Sequence, residues 1–253
     1  MNQNAVHLLK IYVPAGLLII ALAAGAIYRA VQGDPVALIG VTFGLALSGV
    51  VFIWARYKRM ALFRESSPDS AIQFYHRRFN RTPNGIALAA YMSAYAATLY
   101  GQYDRAREEL CAIRWTNLPP LYQGFETHIH ALLALFQMRN VANAMDLALE
   151  AKDFCTVDLG LPGAKTSTEA FDALILSCRA IQGESSPQAV AKLDRAIQKL
   201  PGVAPAIPAW AMAVRLRAAG LPGEAAKYER VVDQLTPHCA PLHQFNYHLS
   251  ISA

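Results

Sequence analysis

Four residues near the C-terminus, His238, Cys239, His243 and His248, are of the types that hold zinc, because imidazole nitrogen and thiolate sulfur are its ordinary ligands. No second ligand group at a familiar spacing accompanies them. Cys111, Cys155, Cys178 and Cys239 are scattered without a Cys-x-x-Cys, which argues against a zinc knuckle and against a disulfide framework. Most of the cysteines read instead as small buried hydrophobes in a reducing compartment. His128 and His130 form a His-x-His pair, but residues two apart on a helix point to nearly opposite sides and cannot share one metal. Gly160-Leu161-Pro162-Gly163-Ala164-Lys165-Thr166 has the outline of a phosphate loop. Ala164, however, stands where a Gly must precede the Lys, and no strand leads into it, so it reads as a helix–helix loop.

Neither His-Glu-x-x-His nor Gly-x-Ser-x-Gly occurs, and no Asp/Glu pair has a setting that would raise one pKa for acid–base work. The acidic residues alternate with basic ones, as in Asp104-Arg105 and Arg107-Glu108-Glu109, the pattern of a solvated helix face. The expectation is therefore no enzyme, no catalytic residue, no cofactor and no bound metal. A metal-dependent enzyme or sensor built on the C-terminal His/Cys group is kept as the third of three readings.

The elements that would position any site begin with two apolar runs free of charge, Ile11 to Tyr28 and Val36 to Ala55. At about 1.5 Å per residue, each is long enough as a helix to cross a hydrocarbon core roughly 30 Å thick. The loop between them, 29–35, is short and charged. Residues 1–55 thus predict a transmembrane helical hairpin. Lys10 before it and Arg56, Lys58, Arg59 and Arg64 after it predict both ends on the cytoplasmic side. Ala24-Gly25-Ala26 resembles a signal cleavage site, the alternative for the first run. Gly40, Gly44 and Ser48 recur every four residues, a stripe of small side chains suited to close helix packing within a hairpin, a homo-oligomer or a membrane complex.

The net charge of +5 is not evenly spread. Residues 56–82 hold seven Lys/Arg against two Asp/Glu, whereas residues 83–253 hold 14 against 15. The excess reads as a basic juxtamembrane segment contacting membrane lipids, and nucleic acid is not expected as a partner. Ser67-Pro68-Asp69 marks a helix start within it.

From there the apolar spacing is helical throughout, and the helices pair around Gly, Pro or Asn. Gly101-Gln102-Tyr103-Asp104-Arg105-Ala106 opens the second helix of one pair. Gly183 is followed by Ala189, Leu193, Ala196 and Pro201, and Gly220 by Ala225, Val232 and Pro237. The matching Ala and Pro residues are each 36 apart. A middle pair has Ala144, Ala148 and Ala151, with Arg139 where Gly is usual. This order resembles the tetratricopeptide repeat (TPR), whose period is about 34 residues. The resemblance covers most of residues 83–237 as about four degenerate repeats. It departs in the linker from Lys152 to Thr168, longer than a TPR turn, and in the Ala or Leu residues that often replace the first-helix aromatic.

The resemblance implies an all-α fold: the hairpin, then a TPR-like α-α solenoid over 83–239, with 240–253 as a C-terminal cap or tail. It also implies a concave groove lined by the first helix of each pair. Carried over by register, the groove positions are Tyr91 and Tyr95, Glu126, Trp210 and Arg217. TPR domains that clamp an acidic chaperone tail have Lys and Asn where Tyr91 and Tyr95 stand, so an apolar helix or extended peptide is the better fit. The leading functional expectation is a membrane-anchored adaptor that binds a protein partner at the cytoplasmic face. The second is a structural or assembly subunit of a larger membrane complex.

Overall fold

The computed structural model describes residues 60–245 except 81, 83, 158–163 and 185, and, between 25 and 50, all but 26, 30, 34, 37, 38, 40, 45 and 47. The chain divides into two compact units, Met1–Lys58 and Arg59–Ala253.

In the first unit, positions 25, 27–29 and 31 are helical, the chain turns at 32–33, and positions 35–36, 39, 41–44, 46 and 48–50 are helical again. Gly33 makes the turn at φ +88°, a conformation open to glycine at little cost. Ile27, Tyr28, Val31, Val36, Ile39, Phe43 and Val50 are exposed. Among the described residues, no helix is long and apolar enough to cross a membrane. This overturns the two-span, cytoplasm-facing localisation. A span needs about 20 apolar residues in one unbroken helix, and composition alone had suggested two of them. Residues 11–24 of the first run and 51–55 of the second lie outside the described residues, as does Gly40. Of the small-residue stripe, Gly44 and Ser48 are exposed, and a Cβ built on Gly44 would meet nothing within 4 Å.

The second unit is helical in all its described regular structure. A 3-10 turn, Leu62–Arg64, leads to α1 (Asp69–Phe79), α2 (Gly85–Leu99), α3 (Tyr103–Cys111), α4 (Pro120–Phe136) and α5 (Val141–Thr156). Then follow α6 (Ala164–Ile181), α7 (Pro187–Lys199), α8 (Ala206–Ala218), α9 (Pro222–Leu235) and a last 3-10 turn, Ala240–His243. Helix α1 starts at the expected Ser67-Pro68-Asp69, where Ser67 Oγ lies 2.5 Å from the Asp69 carboxylate, itself 2.6 Å from Arg105 of α3. Phe63, Ile72 and Tyr75 are buried, so most of the expected basic segment is part of this unit. The linker expected from Lys152 to Thr168 is mostly helix, because the apolar spacing Ala148, Ala151, Cys155 carries α5 on to Thr156. Lys152 then pairs with Asp172 of α6 at 2.7 Å.

Helices pair through turns of one kind. Gly101, Gly183 and Gly220 sit at φ +78°, +97° and +74°. After each, the next N–H reaches back five residues: Gln102 to Ala97 O at 2.9 Å, Glu184 to Arg179 O at 3.0 Å, Leu221 to Leu216 O at 2.9 Å. This is the Schellman closure, which satisfies carbonyls that the helix end leaves free. Arg139 takes the equivalent place at φ +54°, in a turn one residue wider in which Asn140 N–H reaches Ala134 O at 3.0 Å. The next helices are started by Asn140 capping Asn143 N–H, by Ser186 capping Ala189 N–H, and by Pro187 and Pro222 in the first turn.

The paired helices are unequal. Eleven of 15 residues of α2 and ten of 13 of α8 are buried, against two of nine in α3 and two of 13 in α7. Helices α2, α4, α6 and α8 therefore form an inner layer, with α3, α5, α7 and α9 outside. The outer helices press small residues inward: Ala106, Ala144, Ala148, Ala151 and Ala225 are all 0 % exposed. At Gly124 of α4 an added Cβ would stand 2.8 Å from Ala151 O, so these two backbones meet at the limit of approach.

The row of hairpins also meets itself. Residues 240–243 pack on α2, α8 and α9. Arg64 Nε donates to Gln234 O of α9 at 3.2 Å, and Tyr100 Oη donates to Glu65 O at 2.7 Å. The C-terminal turn thus covers part of α2 and α8, helices apolar around most of their circumference that need cover on several sides.

Two outcomes are expected in urea unfolding. Gly183→Ala destabilises by about 1 kcal/mol through its backbone alone, since its site is otherwise open, whereas Gly223→Ala, in the first turn of α9 with equal room, stabilises slightly. Ser93 Oγ is buried without a hydrogen-bond partner, so Ser93→Ala is expected to stabilise by about 1 kcal/mol.

Candidate interaction site at the closed inner face

Two regions of the inner face bring polar and aromatic groups together. The first is an aromatic cluster shared by α2, α4 and α6. Tyr91 stacks on Phe125 at 4.4 Å between centroids, His128 lies 4.5 Å from Phe171, and Tyr95 lies 6.2 Å from His128. Tyr91 Oη and His128 Nδ1 are 3.0 Å apart, a hydrogen bond that lets two polar groups enter an apolar core. Burial pushes the His128 imidazole down to about 3 and raises the Tyr91 and Tyr95 phenols well above their ordinary value. At neutral pH all three are uncharged. No group here is poised to exchange a proton near pH 7, so the cluster specifies packing.

The second region is the seat of the C-terminal segment. Cys239 and Leu242 are 0 % exposed, and burial raises the Cys239 thiol to about 12. Pro241 sits beside Gly101: a Cβ built there would lie 3.5 Å from Pro241 Cγ, an ordinary contact distance. Trp210 Nε1 of α8 donates to Gln244 O at 3.2 Å, and Arg139 Nη2 donates to Gln244 Oε1 at 2.9 Å. The Arg217 guanidinium lies 5.7 Å over the Phe245 ring and is hydrogen-bonded to Glu229 of α9. His243 bridges Thr236 O at 2.9 Å and Asp233 at 3.2 Å.

The groove positions carried over by register fare unequally. Trp210 is 0 % exposed and 5.1 Å from Phe136, so it is a core residue and no free anchor. Its replacement by Ala would leave a cavity costing about 3–5 kcal/mol. Tyr95 is likewise buried, between the aromatic cluster and the C-terminal segment. Tyr91 is half-buried by the same cluster. Glu126 is half-buried, its carboxyl raised by burial, and Arg217 is exposed; both remain accessible to a partner.

Of the C-terminal His/Cys set, His238 is exposed, Cys239 is buried against α2, and His248 lies outside the described residues. Among the described residues, no group of three His, Cys, Asp or Glu gathers where it could hold a metal ion. His128 and His130 do point apart, one buried and one exposed. Gly160 to Gly163 lie outside the described residues, and Ala164, Lys165 and Thr166 form the first turn of α6.

Sequence reasoning missed Arg139, Gln244 and Phe245 as members of the seat. Arg139 carried a signal, since it occupies the step where the other pairs have Gly. Gln244 and Phe245 carried none. A separate shallow cleft of about 410 Å³ on α1 is lined by Ser70, Gln73, Phe74, Arg77 and Arg78, with Arg78 held 5.9 Å from the rings of Phe74 and Phe79. Comparison with protein-family models, with curated proteins and with solved structures gives no match for this chain.

The buried imidazole sets a pH dependence. The unfolded chain takes up a proton on His128 near pH 6.5, the folded chain only near 3. Between these values the unfolded state binds more protons, so this group lowers stability as pH falls, by up to about 1.4 kcal/mol per unit. Urea midpoints from pH 7 to 4.5 should fall more steeply for the native chain than for His128→Phe. Parallel slopes would place the imidazole in water.

Proposed function

We propose that this chain is a helical-repeat adaptor of the tetratricopeptide kind that binds a protein partner. One observation carries the reading: three helix pairs turn on a glycine of positive φ with the same five-residue closure, Gly101, Gly183 and Gly220, and a fourth turns on Arg139, also of positive φ, in a turn one residue wider. Regular stacking of helix pairs yields a scaffold whose surface is available for recognition, because each pair buries its apolar face on its neighbours and leaves the remainder free. The accessible members of the register set, Glu126 and Arg217, offer charges to a partner at separate points of that scaffold. The aromatic cluster of the inner face favours a packing role over catalysis, since burial holds His128, Tyr91 and Tyr95 uncharged.

An assembly subunit of a larger complex is the second reading. It is favoured by the apolar side chains left exposed in the first unit, Ile27, Val31, Val36, Ile39, Phe43 and Val50, which protein neighbours would cover. Purification from native cells as a lone monomer counts against it.

Proximity labelling from the full chain in its native cells tests the adaptor reading. A recurrent set of protein neighbours is expected, reduced at least twofold by the paired charge reversal Glu126→Lys and Arg217→Glu, with helix content by circular dichroism unchanged. A set identical to that of the untethered labelling enzyme would refute it.

A further inference from the structure

We propose that the seat of residues 239–245 is a peptide-binding site occupied by the chain's own C-terminal segment, which a partner peptide of the same chemistry displaces. The inference rests on the adaptor reading and names the partner's chemistry: a short peptide that forms a single 3-10 turn, with a Pro-Leu pair and an aromatic residue three positions after the Leu.

Three separate hairpins build the seat. The first lies against Pro241 at Gly101, the second supplies Arg139, and the fourth supplies Trp210 and Arg217. The bond from Trp210 goes to a main-chain carbonyl, which any peptide offers. Selectivity then comes from the enclosed Leu242 and from the ring of Phe245 under the Arg217 guanidinium. Trp210 Nε1, on a fully buried side chain, donates to the segment's carbonyl at Gln244. A peptide entering in place of the segment restores that bond, whereas an empty seat leaves the indole N–H without this acceptor.

The segment is suited to leave. Helix α9 ends at Leu235, and the segment is a single 3-10 turn joined through Thr236 to Cys239. Its outer residues are only partly covered: Gln244 is exposed, and His243 and Phe245 are half-buried. Being tethered, it competes at an effective concentration that a free peptide rarely matches. If the seat stands open about 1 % of the time, a partner's apparent affinity is weakened about 100-fold. Access is therefore granted to peptides that bind well or are themselves held nearby.

The test uses a fluorescein-labelled peptide of residues 239–245, with serine in place of Cys239, and fluorescence polarisation against the full chain. The native chain is compared with Leu242→Asp, which dislodges the segment, and with Gln244→Ala/Phe245→Ala, which loosens it and leaves the seat intact. Both are expected to bind the peptide at least tenfold more tightly than the native chain. On the second background, Trp210→Phe keeps an aromatic ring, loses the indole N–H with its five-membered ring, and should weaken binding at least fivefold. An unlabelled peptide with Gly-Ser in place of Pro-Leu should fail to compete. If Leu242→Asp does not fold, the double variant decides, since both of its sites are partly exposed.

Folded double variant that binds no better than the native chain overturns the proposal. A native chain that elutes as a dimer and is dissociated by the peptide also overturns it, assigning the seat to a second copy's segment. Peptide binding in a chain without recurrent protein neighbours in cells removes the adaptor reading and leaves the seat. Neighbours without peptide binding remove the seat alone.

Discussion

The second unit is governed by the need to cover helices that are apolar nearly all the way round. Helix α2, Gly85 to Leu99, carries no charged side chain, and most of α8 is equally apolar. An amphipathic helix can rest one face on a neighbour and offer the other to water; these cannot. Covering α2 takes α1, α3, α4 and the C-terminal turn together, and α8 takes α6, α7, α9 and the same turn. Closure of the hairpin row onto itself follows from that demand. The polar bonds at the junction, Arg64 to Gln234 and Trp210 to Gln244, fix its register, while apolar burial supplies the larger share of the driving force.

Much of the local structure was legible in the chain. Helix pairs announce themselves through apolar spacing, Gly turns and Ala residues, of which Ala106, Ala144, Ala148, Ala151, Ala189 and Ala225 are buried and Ala196 half-buried. Even the exception was visible: Arg139 stands at a Gly step and accepts a left-handed conformation there, with its guanidinium recruited by Gln244. Longer-range facts were not legible. Arg64 and Gln234 are 170 residues apart, and nothing local in either marks the other. Register put Trp210 and Tyr95 among the groove positions, and in the structure both side chains are buried.

The apolar runs near the N-terminus teach a different lesson. Length and the lack of charge suggested spans, yet among the described residues no helix meets the requirement. Hydropathy reports how strongly a segment avoids water and leaves open what replaces it. The exposed Ile27, Val31 and Phe43 keep that demand visible in the first unit. His128 shows the reverse case, a residue that reads as a metal ligand or a switch by type. Its surroundings of Tyr91, Tyr95, Phe125 and Phe171 hold it uncharged, so environment and not identity decides its role.

A row of hairpins that returns to its own beginning has a fixed membership. Open arrays can gain or lose a unit by duplication or deletion, each added pair simply extending the line. Here an extra pair would displace Gln234 from Arg64 by roughly the 8–10 Å that separates packed helices, and the last turn would no longer reach Gly101. Kinship with longer or shorter arrays would therefore have to pass through an intermediate with its ends apart. Change in this chain is channelled into side chains and loops, with the number of hairpins held constant by geometry.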